Sequence, residues 1–181
     1  FRRSSGLVRF VESYRKVTGI PMPIPEIIPV NHFLDNISLL FKDQKDKIKI
    51  VPATAHLQVI ADKGLIEQVL INLMENAVQH GKTTTRIELR LSSAGGLAVF
   101  EVADNGCGIE KELLPHLFEG YLTRDQEEIS DQRRNMGIGL SVCMSIVQAH
   151  GGTMRAENRK KGGALLQFSL PLEENSHEHQ R

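Results

Sequence analysis

Three short stretches carry residue types suited to binding chemistry. Asp104-Asn-Gly-Cys-Gly-Ile109 puts a carboxylate at the end of an apolar run, on a glycine turn. Such a carboxylate can accept from an exocyclic amine, a charge-assisted bond worth roughly 1.5–3 kcal/mol, and glycine lets backbone approach a flat ring without a clashing Cβ. Asn72 and Asn76 lie four apart and so share one helix face. Their amides can bond phosphate or ribose oxygens and coordinate a hydrated Mg²⁺. Gly137-Ile-Gly-Leu140 reads as the opening of an apolar helix, where free N–H groups attract phosphate. Alone, each has an ordinary explanation: an Asp-Asn-Gly turn, two exposed amides, a hinge. Together, in this order, they suit a purine nucleotide with its metal.

The elements that would position them follow from periodicity. Leu65, Ile66, Val69, Leu70, Leu73 and Ala77 form one apolar stripe on a helix from about Lys63 to His80, with Asp62 as its cap. An earlier helix carries Phe33, Leu34, Ile37, Leu40 and Phe41, and Asn31 is placed to cap it. Lys47 to Val51 and Leu57 to Ala61 read as strands. Thr85 to Leu91 alternates, with Ile87, Leu89 and Leu91 inward. Gly95-Gly96 turns the chain into a strand from Leu97 to Ala103. A helix from about Ile138 to Ala149 ends at His150-Gly151-Gly152, and Thr153 to Glu157 and Ala164 to Leu170 make a closing hairpin across Lys161-Gly-Gly163. His80 and His150 read as helix C-terminal residues favoured by the dipole. The stretch from Glu110 to Met136 is polar and irregular, as in a lid, and Tyr121 to Met136 is expected to be its mobile part. This order predicts a two-layer α/β sandwich, with helices on one face of a mixed, mostly antiparallel sheet.

Composition narrows the class further. The 181 residues suit one domain with trimmings, and 22 basic residues balance 22 acidic ones. No global field recruits nucleic acid or acidic lipid. Cys107 and Cys143 make no disulfide framework; Cys107 reads as a small turn-packing residue. No apolar run reaches membrane-spanning length, so no membrane contact by this chain is expected. At the front, Leu7, Phe10, Val11, Tyr14 and Val17 recur at helical spacing. Ile20-Pro-Met-Pro-Ile-Pro25 denies a helix and favours an extended strap. The expected division is a helix over 1–19, a strap over 20–29, the main domain over 30–172 and a polar tail over 173–181.

The motifs also carry a resemblance. Gln68 to His80 looks like the N box of sensor histidine kinases, and Asp104-Asn-Gly-Cys-Gly-Ile109 looks like their G1 box. Leu117-Phe-Glu-Gly-Tyr-Leu-Thr-Arg124 resembles the F box, and Gly137-Ile-Gly-Leu-Ser141 with Ala149-His-Gly-Gly152 resembles the G2 box and its following turn. The match runs from about Val30 to Leu172. It implies the ATP-binding (Bergerat-type) fold shared with gyrase B, Hsp90 and MutL, with ATP and Mg²⁺ as cofactors. By motif position, Asn76 resembles the metal ligand and Asn72 its phosphate-side companion. Asp104 resembles the adenine-binding aspartate, and Gly106, Gly108 and Ile109 its loop. Gly137, Ile138, Gly139 and Leu140 resemble the second glycine loop. The N box often carries a basic residue where this chain has Gln79, beside His80, and Lys82 is a substitute for it. The F box ends in Leu-Thr-Arg, so Arg124 keeps the charge beside Tyr121.

The same resemblance implies partners: a dimerisation domain bearing the phosphoacceptor histidine, a response regulator, and a homodimeric, cytoplasmically acting parent protein. Residues 3–23 resemble the end of a second dimerisation helix and its strap. Their wording is similar to nitrogen-regulation kinases, while the stretch after Asp104 is similar to potassium-sensor kinases. No His-Glu or His-Asp pair precedes the nucleotide motifs, so the acceptor is expected on a part of the kinase absent from this chain. The alternatives are a gyrase-like ATPase or a nucleotide-switched binding module. A gyrase-type base would stand at the position of Asn72, an amide. Glu75, with Asn72 the catalytic candidate, could polarise a nucleophile but lies about 100° around the helix from Asn76, displaced from the gyrase geometry.

Overall fold

The structure, a computed structural model, describes residues 21–79, 86–119 and 131–173, with the backbone alone for 131–138. Strand β1 (Glu26–Pro29) leads directly into helix α1 (Val30–Leu40). Strands β2 (Ile48–Val51) and β3 (Gln58–Ala61) precede helix α2 (Lys63–Gln79). The hairpin β4 (Ile87–Ala94) and β5 (Leu97–Asp104) follows. Helix α3 (Asp131–Ala149) and the hairpin β6 (Met154–Asn158) and β7 (Ala164–Pro171) complete the order.

Five strands form one sheet in the order β2-β4-β5-β7-β6, and β1 and β3 form a separate antiparallel ribbon. Only the β2–β4 pairing in the five-stranded sheet is parallel. The expected mixed, mostly antiparallel sheet is therefore present. Its inner face follows the alternation of the sequence. Ile87, Leu89 and Leu91 on β4 are buried, as are Ala98, Phe100 and Val102 on β5, while Arg90 is exposed. Phe100 and Phe168 are register partners across β5 and β7, and their rings stack with centroids 4.5 Å apart. The helices bury Phe33, Leu34 and Ile37 from α1, Ile66, Val69, Leu70 and Leu73 from α2, and Leu140, Ile146 and Val147 from α3. Each such side chain contributes roughly 1.5–3 kcal/mol on burial.

Three expectations need correction. First, Asn31 does not cap α1: Pro29 holds the N-cap position and no side chain bonds there. The Asn31 side chain instead accepts from Ala53 N–H at 3.1 Å and donates to the carbonyls of Ala53 and Ala55, pinning the β2–β3 connection. Second, the end of the proline strap is a strand. Glu26–Pro29 pairs with β3, and Ile28 is in the core. Alternate prolines are compatible with an edge strand because it needs few ladder donors. Third, α3 begins at Asp131 and not near Ile138. Residues 131–136 thus belong to a helix and not to an irregular lid. The first part of that region is anchored too, with Leu117 buried and Leu113, Leu114 and Phe118 packed on the core. Cys107, read as a turn residue, is exposed, and its Sγ donates to the Gly108 carbonyl within the turn at 3.5 Å. The expected helix over 1–19 and the polar residues after Glu173 lie outside the described residues, as does 121–130 of the expected mobile segment.

Asp62 caps α2 as expected and does more. Its Oδ1 accepts from Leu65 N–H at 3.1 Å, and its Oδ2 accepts from Ile24 N–H at 2.9 Å, tying the strap to the helix start. Its own N–H donates to His150 Nε2 at 3.0 Å. Nε2 is then the acceptor, so the imidazole proton sits on Nδ1 and bonds the carbonyl of Ile146 at 2.7 Å, in the last turn of α3. Burial opposes ionisation of the Asp62 carboxyl. The N–H groups of Ile24, Leu65 and Gly64 outweigh it and hold the carboxyl below its ordinary value. A carboxylate with a depressed value stabilises the fold above the ordinary carboxylate range and loses that contribution as pH falls through it. Asp62→Ala should cost about 1 kcal/mol at neutral pH. Urea melts of both proteins should draw together as pH falls through and below the ordinary carboxylate range, where Asp62 loses its charge.

Candidate functional site

Asp104 is the last residue of β5 and is 8% exposed. One carboxylate oxygen is fully engaged: Oδ1 accepts from Gly106 N–H at 2.8 Å and from Ala164 N–H at 3.3 Å. Among the described residues no donor is bonded to Oδ2. A buried carboxylate with one oxygen fixed by backbone and one left over is a rigid acceptor for a donor arriving from outside.

The backbone behind Asp104 comes from the β6–β7 turn. Gly163 has φ +88°, and a Cβ there would lie 2.0 Å from the Asp104 carbonyl oxygen. Only glycine fits on both counts. Arg159 Nη1 donates to that same carbonyl at 2.7 Å. Asn158 faces the other end of the loop: Oδ1 accepts from Ile109 N–H at 2.7 Å, and Nδ2 donates to the Ile109 carbonyl at 2.6 Å. Gly108 has φ +79°, and a Cβ on it would meet Asn158 Oδ1 at 2.7 Å. Ile109 itself is buried. Asn158 and Arg159 were not among the residues singled out from the sequence, and Gly163 was read only as a turn residue. The hairpin turn was legible, but its contact with a loop far earlier in the chain had no local signal.

Helix α2 packs on β5 and on α3. Its buried stripe turns Asn72 and Asn76 toward intermediate exposure, while Glu75 and Gln79 are exposed. Asn72 meets α3: its Nδ2 donates to the Gly139 carbonyl at 3.3 Å and to Cys143 Sγ at 3.4 Å. A Cβ on Gly139 would come within 3.3 Å of the Asn72 amide, so this glycine makes room for that side chain. The expected glycine opening of α3 is thus corrected. Gly137 and Gly139 lie inside the helix, and in this structure their turn is not the helix N-terminus. Leu140 is a core residue, 1% exposed. Asn76, one turn beyond Asn72, makes no side-chain bond among the described residues, which leaves its amide oxygen available. His80, Lys82, Tyr121 and Arg124 lie outside the described residues, and of Gly137 and Ile138 only the backbone is described.

Among the described residues no cluster of three His, Cys, Asp or Glu side chains could hold a metal. The donor set fits a hard divalent cation held through an amide oxygen and a ligand's own oxygens, as Mg²⁺ is commonly held with phosphates. Two amides on one helix face and a buried carboxylate with one oxygen unbonded among the described residues, with a second helix packed beside them, make an α+β arrangement whose chemistry suits a nucleotide.

Comparison with known proteins agrees. Residues 61–174 match the family described as histidine kinase-, DNA gyrase B- and HSP90-like ATPases, and the chain belongs to that family. It is 36% identical over 167 residues to the sensor protein KdpD of Clostridium acetobutylicum, a match covering 92% of this chain and 18% of that protein. It is 35% identical over 118 residues to the adaptive-response sensory kinase SasA of a Synechocystis species, covering 63% of this chain and 29% of that one. The chain therefore spans under a third of these relatives. The catalytic domain of histidine kinase ThkA, in a nucleotide-free form, superposes with a TM-score of 0.66 at 27% identity. That superposition covers 82% of this chain and 95% of the ThkA domain. The fold and motifs are those of a sensor-kinase ATP-binding domain.

The two cysteines differ sharply. Burial pushes the Cys143 thiol up to about 11, although the hydrogen bond from Asn72 works the other way. An acidic group whose folded value is raised favours the fold while protonated. Its contribution is present below its unfolded value and is lost as pH climbs from about 9 toward 11. The stability of the wild type relative to Cys143→Ala should fall by about 2 kcal/mol across that interval. Iodoacetamide at neutral pH should label Cys107 in the native protein and leave Cys143 unlabelled until it unfolds.

Proposed function

We propose that this domain binds Mg²⁺-ATP and presents its γ-phosphoryl group to a histidine on a dimerisation domain of the same kinase, the phosphoryl group passing on to a response regulator. The reading is carried by Oδ2 of buried Asp104, unbonded among the described residues and held beside a helix whose Asn76 amide is also unclaimed there. Asp104 accepts from the adenine amine, and Gly106, Gly108 and Ile109 frame the ring. Asn76 holds the metal on its phosphate side, and Asn72 borders the phosphates from the α3 side. His80, Lys82, Gln79, Tyr121 and Arg124 belong with the phosphates and lid by their place in the motifs. Bound Mg²⁺ supplies charge neutralisation on the phosphate oxygens. The domain's own work is positioning: it binds the base, orients the triphosphate and leaves the terminal phosphate open to in-line attack. Support for the partners comes from ThkA, which has been crystallised with the response regulator TrrA and resembles 92% of this chain with a TM-score of 0.67 at 25% identity.

The division proposed for the chain is a dimerisation-helix end over 1–19, a strap over 20–29, the catalytic domain over 30–172 and a tail over 173–181. The first strand of the folded unit begins within the strap, at Glu26. The parent protein is proposed to be a homodimer acting in the cytoplasm. No helix among the described residues is long and apolar enough to cross a membrane.

The gyrase-like reading needs a base activating water. Asn72 occupies that place, and its amide is bonded to Gly139 and Cys143. Glu75, the carboxylate next to Asn76 in the helix, is exposed. Slow hydrolysis is therefore expected. One His-Glu pair does occur in the chain, His177-Glu178, but it follows the last strand and lies outside the described residues.

Labelled ATP provides the test. The bare chain should bind ATP with its affinity reduced by EDTA, and Asn76→Ala should remove that metal dependence. It should acquire no acid-labile phosphate until a dimerisation domain with its histidine is added. Acid-labile phosphate on the bare chain, lost on replacing His32 or His177, would place the acceptor inside it. Rapid phosphate release would favour the ATPase.

A further inference from the structure

The loop from Asp104 to Ile109 is gripped at both ends by two adjacent residues of another hairpin. We propose that Asn158 and Arg159 are positioning residues for nucleobase recognition, holding this loop so that Asp104 Oδ2 stays aimed at the base. The inference rests on the nucleotide reading above and adds residues that touch the loop without touching the ligand.

The geometry is specific. Asn158 satisfies both backbone groups of one residue, accepting from Ile109 N–H at 2.7 Å and donating to its carbonyl at 2.6 Å. A planar amide matched to a planar peptide in this way sets orientation as well as distance. Arg159 holds the Asp104 carbonyl at 2.7 Å. The Arg159 backbone is itself locked in the turn, its N–H donating to the Gly163 carbonyl at 2.9 Å and its carbonyl accepting from Gly162 N–H at 3.1 Å. Ala164 N–H, two residues beyond Gly162, reaches Asp104 Oδ1. The loop therefore rests against a rigid hairpin end on one side. A further tie is Asn105 Oδ1, which accepts from Arg86 N–H at 2.9 Å.

Both Asn158 and Arg159 are exposed, so truncating them opens no cavity in the core. A purely structural role would change the thermal midpoint, or weaken all nucleotides alike. A positioning role predicts a loss confined to the base end of the site. The phosphate and metal contacts assigned to α2 should be spared.

The experiment measures ATP and GTP affinity by calorimetry on the full 181-residue chain, with thermal midpoints recorded alongside. Asn158→Ala should weaken ATP by about 10-fold, the scale of one or two neutral hydrogen bonds, while leaving GTP nearly unchanged, so the ATP/GTP ratio falls. Asn158→Asp keeps an acceptor for Ile109 N–H but sets a carboxylate against its carbonyl, and should be no better than alanine. Arg159→Ala should lower the ratio and Arg159→Lys should restore much of it. Wild-type ratios in both alanine variants, or equal losses for ATP and GTP, would overturn the proposal. Failure of the nucleotide reading looks different: the wild type would not bind ATP, or Asp104→Asn would bind it as well as the wild type does.

Discussion

The candidate site depends on one constraint: a carboxylate must be buried, be hydrogen-bonded in place of its lost water, and still keep an oxygen for the proposed ligand. Asp104 meets it by giving Oδ1 to two backbone N–H groups and leaving Oδ2 without a partner among the described residues. Burying a charged group is costly unless such bonds replace its hydration. The two donors come from different parts of the chain. Gly106 lies two residues on, and Ala164 belongs to the strand that pairs with β5. The antiparallel register of β5 against β7 therefore sets the geometry of the candidate site. A slip of one residue would carry Ala164 away from Asp104 and turn the alternating faces over.

The same constraint explains why the closing hairpin is built as it is. For the turn to come up behind Asp104, its backbone must pass almost in contact with that residue's carbonyl, which excludes a side chain at Gly163. Arg159 and Asn158 then use the closeness, bonding the two ends of the loop. The stacked pair Phe100 and Phe168 helps to hold β5 and β7 together further along the strands. Asp62 performs a similar joining task at the helices, linking the strap, the start of α2 and the end of α3 through Ile24, Leu65 and His150. The helix that carries the asparagines is thus fixed at its start by Asp62 and along its length by the contact of Asn72 with α3.

Much of this was legible in the residues. Strict alternation in β4 and the apolar stripe of α2 gave faces as well as elements, because both periodicities survive intact where one side meets a core. The Asp104 turn and the paired asparagines stood out as candidate chemistry by their types and their order in the chain. What failed was governed by tertiary contact. Asn31 has the chemistry of a cap, but a loop twenty-two residues on claims its amide. Gly137 and Gly139 have the look of a helix start, yet the helix runs through them and Gly139 admits the Asn72 side chain. A glycine in a helix interior costs about 1 kcal/mol relative to alanine, so propensity argued for the wrong boundary. Asn158 ends β6 and Arg159 follows it into a charged turn, and nothing local in that stretch announces its contact with the Asp104 loop.

The most direct test of the account is a cycle between Asp104 and the exocyclic amine of the base. Calorimetry would compare ATP with purine riboside triphosphate, which lacks that amine, on the wild type and on Asp104→Asn. The account predicts that the wild type prefers ATP by roughly 1.5–3 kcal/mol, the range of a charge-assisted hydrogen bond, and that most of this preference vanishes in Asp104→Asn. An equal preference for ATP in both proteins would show that the amine does not meet Asp104, and would contradict the account at its centre.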